Sequence, residues 1–190
     1  MLVQELLDDR LGFPGVQEIN ILKQCCSQFL QESATRPVYK LLPMTYDDFH
    51  RVKVRRKPLS DDNVSEVFDR AFGTQHIRQR AIFVSGSLPV ITENVEPFYV
   101  FPVDGYKFLY SKEVGNSNND YQQVLDSLFE QFEDNDKAIE IVTDVLKYTY
   151  VRDNLAEGII SKSEIILYGI PCYYAMRVSA ALDYNKINIR

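Results

Sequence analysis

Between residues 16 and 31, apolar side chains fall at Val16, Ile19, Leu22, Cys26, Phe29 and Leu30. These intervals of three and four predict one amphipathic helix packed on a core. Thr35-Arg36-Pro37 breaks the pattern, and Val38-Tyr39-Lys40-Leu41-Leu42 reads as a short strand ended by Pro43. Residues 45–60 are cationic and close on Lys57-Pro58, which predicts an exposed segment. Ser60, Asp61, Asp62 and Asn63 offer helix caps before Val64, Val67, Phe68, Ala71 and Phe72, a helical spacing stopped by Gly73. The run Arg80-Ala81-Ile82-Phe83-Val84-Ser85 predicts a buried strand, and Gly86 lets the backbone turn after it.

Two further strand patterns, residues 98–103 and 106–111, flank Asp104-Gly105, a pair suited to a hairpin turn, with Pro102 restricted to an edge or turn. Residues 116–119 are polar loop, and 121–132 and 136–148 have helical periodicity. Glu164-Ile165-Ile166-Leu167-Tyr168 predicts a strand led by a carboxylate, and the aromatic and branched residues of 171–178 predict another. Helices first, then strands with helices inserted among them, indicate an α+β fold and no doubly wound parallel sheet. The expected organisation is one domain over 1–190, with an N-terminal helical segment at 1–35 and a polar tail at 180–190 that frays.

Composition supports that reading. A chain of 190 residues, 45% hydrophobic and 25% charged, is an ordinary globular one. At this length roughly two-thirds of the unfolded surface is buried without disulfides or metals. The 3 cysteines, Cys25, Cys26 and Cys172, suit neither a disulfide framework nor a metal clamp and point to a reducing compartment. The amino terminus lacks a basic, apolar leader, and no run approaches the roughly 20 apolar residues of a membrane span, so the expected location is cytoplasm with no membrane partner. The net charge of -6 argues against nonspecific coating of nucleic acid. Arg51, Lys53, Arg55, Arg56, Lys57, Arg78 and Arg80 nevertheless concentrate positive charge, either as a solvated loop or as an attractor for phosphate-bearing ligands.

No dinucleotide fingerprint, phosphate loop, zinc-protease motif or nucleophile elbow is present. The 2 histidines, His50 and His76, read as surface or satisfied side chains, and nothing has metal-ligand spacing.

Three segments taken together carry more information: Arg36-Pro37-Val38-Tyr39-Lys40, then Ala81-Ile82-Phe83-Val84-Ser85-Gly86-Ser87, then Ser163-Glu164-Ile165-Ile166-Leu167. Their order and character resemble those of the ADP-ribosyltransferases. Cys26-Ser27-Gln28-Phe29-Leu30 fills the place of the family's leading helix. Arg55-Arg56-Lys57-Pro58, Phe101-Pro102-Val103-Asp104-Gly105-Tyr106-Lys107 and Glu164 with Tyr173-Tyr174 resemble bacteriophage-type members. The resemblance covers about residues 19 to 176. It implies a split β core and NAD as substrate, with ADP-ribose passed to a host macromolecule, a protein first of all. Nucleic acid is a further candidate through the basic segment 51–56. Glu164 would stabilise the positive charge that develops on the ribose as the bond to nicotinamide breaks. Lys40 or Arg36 would hold the diphosphate, and Tyr39, Ser85, Gly86 and Ser87 would shape the pocket.

Two departures point elsewhere. The family's tyrosine-arginine-glycine is Tyr39-Lys40-Leu41 here, and lysine lacks the bidentate fork of arginine. Lys162 stands two residues before Glu164, where arginine-modifying members carry glutamate or glutamine, so like-charge repulsion disfavours an arginine acceptor. The alternative is a catalytically degenerate protein of the same fold that engages a host factor, such as a defence component, or a nucleotide through the old cleft or its basic rim.

Overall fold

The computed structural model describes residues 16–34, 36–56, 63–132 and 134–180. The caps expected at Ser60, Asp61 and Asp62, the Lys57-Pro58 step and the tail beyond 180 lie outside the described residues. Seven strands and six α-helices make up the described chain, an α+β arrangement. The strands are β1 (Tyr39–Pro43), β2 (Phe49–Lys53), β3 (Ile82–Ser85), β4 (Val95–Pro102), β5 (Lys107–Tyr110), β6 (Glu164–Tyr168) and β7 (Cys172–Arg177). The helices are α1 (Val16–Cys25), α2 (Ser27–Glu32), α3 (Asn63–Phe72), α4 (Ser117–Gln131), α5 (Asn135–Thr149) and α6 (Leu155–Ser161). No described helix is long and apolar enough to cross a membrane.

All strand pairs are antiparallel, in the order β2-β7-β4-β1-β3-β6-β5. The sheet narrows at its middle. β1 pairs with β4 along its whole length but with β3 only at Tyr39 opposite Ser85. Beyond that pair the two strands diverge, and the sheet becomes two halves, β2-β7-β4-β1 and β3-β6-β5. Side-chain alternation fills both sides. On β3 and β6, Phe83, Ile166 and Tyr168 face a core with Val67 and Phe68 of α3, Leu125 of α4 and Val142 and Leu146 of α5. Ile82, Val84, Ile165 and Leu167 face the opposite core, with Phe29 of α2, Phe98 and Phe101 of β4 and Ile159 of α6.

Four expectations are corrected and one helix is added; the first is the polar loop of 116–119, of which Ser117, Asn118 and Asn119 form the first turn of α4 with Asn116 as its cap. The helix of residues 16–31 is two helices meeting at Cys26, because Asp104 caps the second from a distance: it accepts from Ser27 Oγ at 2.8 Å and from the Gln28 N–H at 2.8 Å. The Gln28 N–H would otherwise be an unsatisfied donor of a helix start. The Asp104-Gly105 hairpin does not form. Gly105 turns with φ of +88°, but its N–H bonds Gln28 Oε1, and the chain passes from β4 in one half-sheet to β5 at the far edge of the other. The exposed segment 45–60 contains β2, an edge strand whose Arg51 and Lys53 hide its pattern while guarding an open edge. Helix α6 was not foreseen, and it occupies 155–161 immediately before β6.

Candidate functional site

Tyr39, Ser85 and Glu164 form a row across three adjacent strands: Tyr39 is opposite Ser85, and Ser85 is opposite Glu164. Opposed residues of an antiparallel ladder project to the same side, so the three motifs do converge. Each of these elements also makes contacts within the protein. The Ser85 hydroxyl donates to the Lys162 carbonyl at 3.0 Å and accepts from the Ser87 N–H at 3.1 Å. Lys162 has φ of +62° and caps α6, so Ser85 pins the left-handed turn that leads into Glu164. Gly86 approaches protein rather than ligand. A Cβ built on it would lie 2.0 Å from the Ile159 carbonyl oxygen, which is backbone of α6 and cannot swing away.

Glu164 turns toward the helices. Its Oε1 accepts from the Ser117 N–H at 3.2 Å, in the first turn of α4, where a carboxylate is favoured by the helix dipole. Ser117 is fully buried, and its Oγ lies 3.4 Å from Nη2 of Arg78. The Arg78 guanidinium also reaches Asn118 Oδ1 at 3.3 Å and packs on the Phe68 and Phe83 rings. Tyr150, whose hydroxyl pKa burial pushes far above the phenol range with smaller additions from Tyr121 and Glu164, closes the cluster. The polar groups around Glu164 thus join α4 and the 78–80 turn to β6.

Lys40 lies on the other side of the sheet. It alternates with Tyr39, and its Nζ donates to the Phe83 carbonyl at 3.2 Å, across the opening where β1 leaves β3. Arg36 precedes β1, exposed, with its backbone N–H on the Ser33 carbonyl, so strand alternation does not place it with Lys40. The expected grouping therefore divides: Tyr39, Ser85 and Glu164 on one face, Lys40 on the opposite one.

On that opposite face, at the mouth between the half-sheets, Lys40 lines a cavity of about 660 Å³. Its walls include Ile82 of β3, Tyr173 of β7 and the run His50, Arg51, Val52, Lys53, Val54, Arg55, with Tyr46 at the rim. The volume lies in the range of small-molecule sites. Lys40 and Arg55 line it together with Arg51 and Lys53, whose side chains alternate with those of His50 and Val52 along β2 and leave from its other face, and among the described residues no carboxylate lines it. Arg51 is steadied by Cys172, whose sulfur accepts from its Nε at 3.1 Å and helps to raise the guanidinium pKa further. Burial, and to a lesser extent Arg177, lowers the pKa of His50 below the usual imidazole value, against an opposing contact with the Asp47 carbonyl. His50 Nε2 is buried with no hydrogen-bond partner among the described residues.

His50, Tyr46 and Tyr173 were not singled out as ligand residues in the sequence, and for His50 the pairing of edge strand β2 with β7, His50 opposite Ala175, was concealed by a pattern broken by cations. The described residues hold no group of three or more histidines, cysteines or acids placed for a metal. Cys26 is fully buried, and burial, with smaller contributions from neighbouring Cys25, Asp104 and Cys172, pushes its thiol pKa well up, which suits packing rather than attack. No protein-family model, curated protein or solved structure matches the chain.

Proposed function

We propose that the chain is a non-catalytic binding protein on an ADP-ribosyltransferase-like scaffold, and that its ligand is a nucleotide whose phosphates enter the cavity between the half-sheets. The carrying observation is the division of the motif residues: Lys40 faces a cationic recess, while Glu164 accepts a backbone hydrogen bond from α4 on the far side of the strands. Lys40 and Arg55 in a concave wall with no carboxylate among its described residues focus a positive field in a chain of net charge -6, which favours an anion over a neutral ligand. The surrounding Tyr46, Tyr173 and Ile82 give a base or ribose apolar surface. A host macromolecule as the eventual partner follows from the bacteriophage-type resemblance.

Transfer of ADP-ribose from NAD is the second reading, favoured by the register that sets Ser85 opposite Glu164. A nicotinamide-release assay separates the two. Binding alone predicts no release from NAD above the buffer rate, for wild type and Glu164→Gln alike, with ADP bound equally by both. Steady release that Glu164→Gln abolishes, in a variant that remains folded, establishes the enzyme instead.

A further inference from the structure

A second cavity, of about 600 Å³, adjoins the first and, among the described residues, shares only Val54 with it. Its walls come from the 74–77 turn, from Arg56 and Arg80, and from the β6–β7 connection, Tyr168 to Pro171. Among the described residues no carboxylate lines it. Asp69 fixes the turn from beneath: its two oxygens accept from the N–H groups of His76 at 2.6 Å and Ile77 at 3.0 Å, and His76 is held at φ of +62°. That backbone region is costly for a branched-free side chain without such support.

The ring of His76 is oriented by its neighbours. Arg56 donates from Nε to Gln79 Oε1 at 2.7 Å and places Nη2 3.5 Å from His76 Nε2. A guanidinium has no lone pair to offer, so Nε2 is the accepting nitrogen and the ring proton sits on Nδ1. Nδ1 is buried and has no hydrogen-bond partner among the described residues. A buried donor without an acceptor is costly, and the residue that bears it lines the cavity with Arg56 and Arg80. Arg80 is exposed and makes no ion pair among the described residues.

We infer that this cavity is a phosphoryl-binding subsite, in which Arg56 and Arg80 donate to the oxygens of a phosphate monoester seated against His76. Apart from Val54 its residues are not those of the first cavity, so it stands or falls separately from the nucleotide reading.

The protein carries only 2 histidines, one in each cavity, so side-chain NMR of histidine-labelled protein reports the two sites independently. Titration with orthophosphate is expected to shift the His76 ring resonances saturably. Arg80→Glu is expected to raise the apparent Kd at His76 by about tenfold or more, since charge-assisted bonds to phosphate are lost and repulsion is added. Arg80→Gln, which cannot repel, is expected to weaken binding by a smaller factor, and it serves if the charge reversal disturbs folding. A His76 signal unmoved by phosphate, or moved identically in wild type and both variants, overturns the subsite. A response at His76 to phosphate with none at His50 to ADP keeps the subsite and rejects the nucleotide site of the first cavity.

Discussion

Gly86 has no space for a side chain, because α6 presents its Ile159 carbonyl 2.0 Å from where a Cβ would stand. Gly86→Ala must push strand and helix apart, an overpacking cost of about 3 kcal/mol. The expected result is a Tm lowered by roughly 6–12 °C, measured by calorimetry. An unchanged Tm would mean that α6 does not pack on β3 in this way. His50 gives a pH dependence whose sign is fixed by its surroundings: Asp47 through its carbonyl, Arg177, and the rings of Tyr46 and Phe98. Burial, the largest cause, lowers its pKa from the ordinary 6.5. The unfolded chain then binds the proton more readily than the folded one. The contribution is intact above the ordinary value and drains away as pH falls through it toward the lowered folded value. Wild type is expected to lose more Tm than His50→Gln between about pH 7.5 and pH 5.5, and equal losses would contradict a buried, neutral imidazole.

At the level of elements, Asp104 does what no local pattern announces: it caps α2 from the connection between β4 and β5. Removing that acceptor by Asp104→Ala should cost about 1–2 kcal/mol and speed amide exchange at residues 27–29 selectively. Exchange that accelerates evenly along α1 and α2 would argue against the cap. The example also marks what the sequence can carry. Local pattern finds Ile82–Ser85 and Glu164–Tyr168 as short apolar runs, and α5 by its helical repeat. It joins α1 to α2 because Leu22, Cys26 and Phe29 keep the same spacing through the break, and the acid that breaks them lies far along the chain. It misses β2 because an edge strand of cations imitates a loop. The candidate site is legible to the same extent. Alternation shows that Tyr39 and Lys40 oppose each other, but which of them shares a face with Glu164 is set by the Tyr39-to-Ser85 register, and register depends on partners rather than on the strand itself.

For the whole molecule, the narrow join between β1 and β3 is the organising feature, since one register pair holds two half-sheets and their divergence opens the space that Lys40 spans. The half-sheet β3-β6-β5 is covered by α3, α4 and α5 on one side and meets α6 on the other, so the motif carboxylate is tied into a helix-covered interior. The opposite mouth is cationic and concave. Titration calorimetry with ADP on wild type and Lys40→Met tests this account most directly, because methionine keeps an unbranched stem and removes the charge together with the bond to the Phe83 carbonyl. A saturable wild-type isotherm is expected, weakened by about tenfold in Lys40→Met, the loss appropriate to one charge-assisted contact. No heat of binding in wild type, or the same affinity in both proteins, would contradict a nucleotide site at the opening of the split sheet.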